Sequence, residues 1–173
     1  DWSRRLIGIK GTRGVGKTTF LLQYARKYFD VHKRECLYIN MNQFYFTVRT
    51  IVDFAREFVR NGGKVLLLDQ VYKYPDWSKE LIECYERFPE LRIVFTGSTV
   101  MSLSRNTEIS SFVDVYNLRG FSFREFLNIL AHTNFPAYQL KDVIENHREI
   151  ASAICAKIDP FRYFKDYLHH GYY

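Results

Sequence analysis

Cysteine is scarce in this chain. The 173 residues hold three, Cys36, Cys84 and Cys155, far apart and odd in number. No C-x-x-C pair occurs, so neither a disulfide framework nor a zinc site is expected to organise the fold, and a reducing, cytoplasmic setting is the natural expectation. Long apolar runs are missing too. None approaches the roughly 18–20 residues needed to cross a bilayer, so no membrane partner is expected. No basic-then-apolar leader is visible at the start. There is no internal repeat and no low-complexity tract. Neither charge dominates: Lys and Arg number 25 against 19 Asp and Glu, a net charge of +6. The basic residues are scattered, which permits a nucleic-acid contact without requiring one. What is present is 47% hydrophobic and 17% aromatic residues, a globular composition with ample material for a core.

Apolar strands alternate with helical patterns along the first two thirds. Leu6–Lys10 reads as a buried strand, and Lys17 to about Phe29 as a helix with Leu21, Tyr24, Ala25 and Tyr28 on one face. Cys36–Ile39 is a second strand. Thr47–Asn61 reads as an amphipathic helix carrying Val48, Ile51, Val52, Ala55, Phe58 and Val59, stopped by Gly62. Val65–Leu68 is continuously apolar and reads as a strand buried on both faces. Asp76 is placed to cap a helix through about Arg87. Leu91–Thr96 and Val113–Leu118 complete the strands, with a short helix expected after Thr99. This order implies an α/β domain with a mostly parallel sheet. From Gly120 the character changes. Ser122 and Glu125 form a capping-box pattern, Leu140–Ile158 is periodic, and Asp159-Pro160 opens a last helix. The expected organisation is a core over 1–119 and a helical appendage over 120–173.

The most informative segment is Gly11-Thr12-Arg13-Gly14-Val15-Gly16-Lys17-Thr18, followed by Thr19. It satisfies G-x-x-x-x-G-K-[ST], the Walker A pattern, between a strand and a helix. Glycines let the backbone turn tightly so that successive N–H groups converge on an anion. The helix that follows adds its positive end. Lys17 is placed to reach the β- and γ-phosphates of a nucleotide, and Thr18 offers a hard oxygen to Mg²⁺. Asp69, closing the Val65–Leu68 run, is the matching acidic residue for the metal. The residues Gly11 to Thr19 are therefore the expected nucleotide-binding set, and Thr18 with Asp69 the metal set.

Taken together, GTRGVGKTT at 11–19, VLLLDQVYKYPDW at 65–77, VFTGST at 94–99 and LRGFSFREF at 118–126 resemble the prokaryotic AAA-type ATPases of the additional-strand P-loop class, close to the signal-transducing ATPase group. The resemblance runs over essentially the whole chain. It implies a three-layer P-loop NTPase sandwich with a five-stranded sheet, in which Leu91–Thr96 separates the phosphate-loop strand from the strand of Asp69. Thr96 and Ser98 would then sense the γ-phosphate. It also implies ATP or ADP and Mg²⁺ as ligands, ATP hydrolysis as the reaction, and a further C-terminal part or a protein partner. The aromatic residues Phe161, Tyr163, Phe164, Tyr167, Tyr172 and Tyr173 are expected to dock there.

The chain departs from that family pattern at two places. Gln70 stands where the family carries the glutamate that polarises the attacking water. An amide cannot accept the proton, and general-base catalysis is worth about 10²–10⁴-fold, so slow turnover with intact binding is expected. Natural weakening, a glutamate replaced by glutamine, and another carboxylate in its place all fit. Ser110-Ser111-Phe112 replaces the usual arginines before the last strand, with Arg13 and Arg119 as weaker substitutes. An ATP-gated switch and a P-loop kinase are the competing readings. A GTPase is disfavoured because no N-K-x-D segment exists. His147 reads as a packed, hydrogen-bonded side chain and His169-His170 as no metal site. Tyr72, Tyr74 and Trp77 read mainly as packing. Trp2, Ser3 and Arg4 are divided between a base contact and terminal packing.

Overall fold

The computed structural model describes residues 4–42, 46, 48–98 and 107–171. The chain divides into two compact units, Asp1–Leu118 and Arg119–Tyr173. In the first, five strands form one sheet: β1 (Leu6–Gly11), β2 (Cys36–Asn40), β3 (Val65–Asp69), β4 (Arg92–Ser98) and β5 (Asp114–Asn117). Their order is β2-β3-β4-β1-β5, and every pairing is parallel. The sheet is thus wholly parallel, and β4 lies between the strand leading into the glycine loop and the strand of Asp69, as the resemblance implies. In the register, Gly11 stands beside Ser98 and Asn40 beside Asp69.

The period of two along the strands divides the core between the two faces. Leu66, Leu68, Ile93 and Phe95 pack on one side with the helices α2 (Ile51–Arg60) and α3 (Trp77–Arg87). Val65, Leu67, Val94, Ile7 and Ile9 pack on the other with Leu21 of α1 (Lys17–Tyr28). Both faces of β3 are covered, which is why its sequence is an unbroken apolar run. On α1, Leu21 is buried and Tyr28 is exposed, so the apolar stripe ends one turn before the helix does.

The helix expected from Thr47 begins at Ile51 instead. The Thr50 hydroxyl accepts the Asp53 amide at 3.0 Å, and Glu80 of α3 accepts the Ile51 and Val52 amides at 2.6 and 3.4 Å. These acceptors satisfy the first free N–H groups and set the start of the helix. Val48 lies before it and is exposed, while Thr47 falls outside the described residues. Gly62 ends this segment in the left-handed region, φ 86°. Asp76 occupies the position before α3 without a side-chain capping bond. The carbonyls at the other end of α3 are bound by Arg5, which donates to Tyr85, Phe88 and Pro89 at 3.0–3.3 Å and stacks on the Tyr85 ring. Cationic donors at a helix C-terminus are favoured there. The helix α4 (Thr107–Ser110) precedes β5, and the segment from Thr99 to 106 lies outside the described residues.

The second unit holds α5 (Phe123–Leu130), α6 (Leu140–Cys155) and α7 (Pro160–Asp166), with no strand among the described residues. Ser122 and Glu125 form the expected capping box, and Asp159 caps α7 by accepting the Phe161 amide. Helix α6 stops three residues earlier than its periodicity implies and is interrupted at Asn146. His147 is exposed and bonds only locally, 3.4 Å from the Ile144 carbonyl, so it is not the packed histidine its position on the stripe implies. Phe164 and Tyr167 pack against Phe123, and Tyr167 also against Phe126, so part of the terminal aromatic content is used within this unit. Phe161 is 81% exposed. Tyr172 and Tyr173 lie outside the described residues.

Candidate functional site

The glycine loop runs from the end of β1 into α1. Gly14 and Gly16 have φ of 87° and 96°, a region closed to most side chains. Gly11 is required for another reason. A Cβ there would lie 2.5 Å from the Leu118 carbonyl oxygen and 3.0 Å from Val15 Cγ1. Sequence therefore places glycine where the turn needs left-handed backbone and where two backbones nearly touch. Thr12 Oγ1 is buried with no hydrogen-bond partner.

Lys17 folds back over this loop, donating to the carbonyls of Gly11 at 2.9 Å and Thr12 at 2.6 Å. Partial burial lowers its pKa, and the negative charge of Asp69 opposes that shift. An ammonium has three donors, so one remains after these two bonds. Thr18 donates to Asp69 Oδ2 at 2.7 Å, joining the loop to the end of β3.

Asp69 is almost fully buried, and three hydroxyls surround its carboxylate. Thr18 and Tyr38 both donate to Oδ2, Tyr38 at 2.9 Å, and Thr96 donates to Oδ1. Thr96 is itself fully buried, and its oxygen also accepts the Gln70 amide at 2.9 Å. The hydroxyl of Thr96 is thus engaged with Asp69 and the Gln70 backbone. Ser98, two residues on, lines the open cavity. Gln70 adopts left-handed backbone, φ 61°, and its Oε1 accepts from the Tyr72 hydroxyl at 3.3 Å.

A cavity of about 400 Å³ lies over these groups, lined by Arg13, Gly14, Gly16, Lys17, Thr18, Thr19, Asp69, Gln70, Tyr72, Lys73 and Ser98. Three cations, Arg13, Lys17 and Lys73, share it with one carboxylate, Asp69. That balance suits a polyanion. It sits at the carboxyl ends of parallel strands, where open α/β sheets place ligands. A larger cavity of about 920 Å³ lies away from it, beside the edge strand β2 and between α1 and α2. It contains none of the loop residues.

A family profile described as AAA domain matches residues 3–127. The chain belongs to this AAA family. The match covers the first unit and reaches α5, less than the whole-chain likeness expected from the motifs. An uncharacterized protein of Methanocaldococcus jannaschii is similar over 169 residues at 24% identity, covering 90% of this chain and 35% of the relative. The chain thus spans about a third of that relative's length. An AAA domain is a nucleotide-binding ATPase fold, and the loop, Asp69 and the strand order agree with it.

Several expected residues fall elsewhere. Arg4 pairs with Asp114 at 3.2 Å, at the entry ends of β1 and β5. With about 3.3 Å of rise per residue, the six residues of β1 put it roughly 20 Å from the glycine loop, and its side chain is exposed there. Trp2 and Ser3 lie outside the described residues. Arg13 lines the cavity, and Arg119 belongs to the second unit. Trp77 and Tyr74 pack on the core, whereas Tyr72 is exposed and faces the cavity. No cluster of three or more metal-binding side chains of the His, Cys, Asp or Glu type occurs among the described residues. None of the described helices is long and apolar enough to cross a membrane. Sequence reasoning missed Tyr38 altogether. Within the Cys36–Ile39 strand Tyr38 carries no signal of its own, and the β2–β3 pairing brings it to Asp69.

Proposed function

We propose that this domain binds ATP with Mg²⁺ and hydrolyses it slowly. The observation that carries the reading is the convergence on one cationic cavity of the glycine loop, Lys17, Thr18, Asp69, Gln70 and Ser98. The loop amides and Lys17 would hold the phosphates, with Arg13 and Lys73 adding positive charge. Thr18 and Asp69 present a hydroxyl and a carboxylate oxygen in contact, a hard-oxygen donor set that fits Mg²⁺. When bound, that ion would neutralise charge on the phosphates and on the leaving group. Ser98, at the end of β4 and lining this cavity, would meet the γ-phosphate. Thr96 acts beneath it, through Asp69 and the Gln70 amide.

The slow step follows from Gln70. Water attack on the γ-phosphate needs an acceptor that orients the water and draws off its proton. Gln70 offers a neutral amide whose oxygen, which accepts from Tyr72, can orient a water but cannot take its proton. The same observation favours a second reading, in which the domain is an ATP-gated switch with little turnover. A protein partner or a further domain would receive the signal. Nucleic acid is a less favoured partner.

Calorimetry of ATP and ADP with and without Mg²⁺, together with phosphate release, tests both readings. Mg²⁺-supported binding is expected, with release rising about 10²–10⁴-fold in Gln70→Glu. Binding without rescue supports the switch. Absence of binding by the folded chain overturns the phosphate-cradle assignment.

A further inference from the structure

We propose that Tyr38 is the positioning residue that holds Asp69 ready for the divalent cation, so that the second sheet strand sets the metal affinity of the nucleotide site. The inference rests on the ATP and Mg²⁺ reading above. Tyr38 lies on the edge strand β2, one residue before Ile39 and two before Asn40, the register partner of Asp69. Its hydroxyl donates to Asp69 Oδ2 at 2.9 Å. Thr18 donates to the same oxygen at 2.7 Å, and Thr96 donates to the other oxygen.

The two donors on Oδ2 are not equivalent. Thr18 sits on the first turn of α1 and is itself one of the expected cation ligands. Its hydroxyl can lend a lone pair to a cation while its proton stays on Asp69, so Thr18 belongs to the ligand set itself. Tyr38 and Thr96 stand outside that set, one on each carboxylate oxygen, and together they fix the plane of the carboxylate. A phenol suits this task. It carries one proton and has a rigid ring with little rotamer freedom to lose. An ordinary phenol keeps its proton well above neutral pH, so it serves as a donor to the carboxylate.

The order of the sheet makes this contact possible, since β2 is paired with β3, the strand that Asp69 closes.

The test is the Mg²⁺ titration of ATP binding, followed by calorimetry on the wild-type chain and on Tyr38→Phe, with Mn²⁺ binding by electron paramagnetic resonance as the direct probe of the ion. A lost hydrogen bond to a charged group predicts that the midpoint for Mg²⁺ and Mn²⁺ rises about tenfold in Tyr38→Phe. ATP affinity in the presence of a chelator is expected to stay within about twofold, because the loop and Lys17 are untouched. Tyr38→Leu, which also lacks the hydroxyl, is expected to move the cation midpoint at least as far. An unchanged midpoint in Tyr38→Phe overturns the proposal while leaving the nucleotide reading intact. An equal loss of metal-free and metal-bound affinity, or a Tyr38→Phe variant that does not fold beside a folded Tyr38→Leu variant with an unshifted midpoint, also overturns it and assigns Tyr38 a structural role. Failure of the wild-type chain to bind ATP at all overturns the nucleotide reading first, and this inference with it.

Discussion

Removing the Thr96 hydroxyl is the sharpest perturbation of the ground beneath the site. Thr96→Val keeps the shape of the side chain and deletes two hydrogen bonds. One is donated to Asp69 Oδ1, and the other is accepted from the Gln70 amide at 2.9 Å. Both Thr96 and Asp69 are almost fully buried, so water does not replace the hydroxyl cheaply. A bond to a charged group is worth about 1.5–3 kcal/mol and an amide left without its acceptor costs about 1–3 kcal/mol. The added methyl group returns about 1 kcal/mol of transfer free energy. The net expectation is a loss of about 1.5–5 kcal/mol, a large share of the ~5–15 kcal/mol that holds a domain folded. Thr96→Ser is the control. It keeps both bonds, loses one methyl, and is expected to cost about 1 kcal/mol. Urea unfolding followed by circular dichroism measures both. A valine variant as stable as the serine variant would refute the assignment of Thr96 to holding Asp69 and Gln70.

Other outcomes follow from the same geometry. Gly11→Ala drives a Cβ to 2.5 Å from the Leu118 carbonyl, a backbone atom anchored by the Leu118 amide bonded to Lys10 at 2.7 Å. Overpacking of this kind costs about 1–3 kcal/mol, so a lower urea midpoint is expected together with weaker ATP binding in calorimetry. Burial pushes the Cys36 thiol up to about 11 and the Cys84 thiol up to about 12, while Cys155 is exposed. Iodoacetamide at pH 8 should therefore label Cys155 first, as read by mass spectrometry. Above pH 9 the unfolded chain releases these two thiol protons before the folded one does. Stability contributed by the buried thiols is thus complete below that pH and falls as pH rises toward 11, and urea midpoints taken across this window measure the loss.

Much of the fold was legible because the sheet is buried on both sides. An unbroken run such as Val65–Leu68 has few structural meanings, and the alternation of such runs with amphipathic helices fixes the class. The glycine loop was equally plain, since left-handed backbone at Gly14 and Gly16 and crowding at Gly11 leave little choice of residue. Helix limits were less legible. The start of α2 depends on Glu80, a residue 29 positions away from Ile51, and no local pattern announces it. The end of α6 and the exposure of His147 likewise escaped a reading by periodicity, which marks an apolar stripe without saying what covers it.

The sequence by itself determined the glycine loop, the acidic residue at the end of a buried strand, and the glutamine that follows it, because each is a local matter of residue type and spacing. Tertiary structure alone decided what stands around Asp69. Tyr38 and Thr96 come from strands that flank β3 on either side, 31 and 27 positions away in the chain. Which side chains meet there depends on strand order and on a register that must be right to one residue, since a slip of one turns every side chain to the opposite face. That information resides in the pairing of the strands, which no single segment carries.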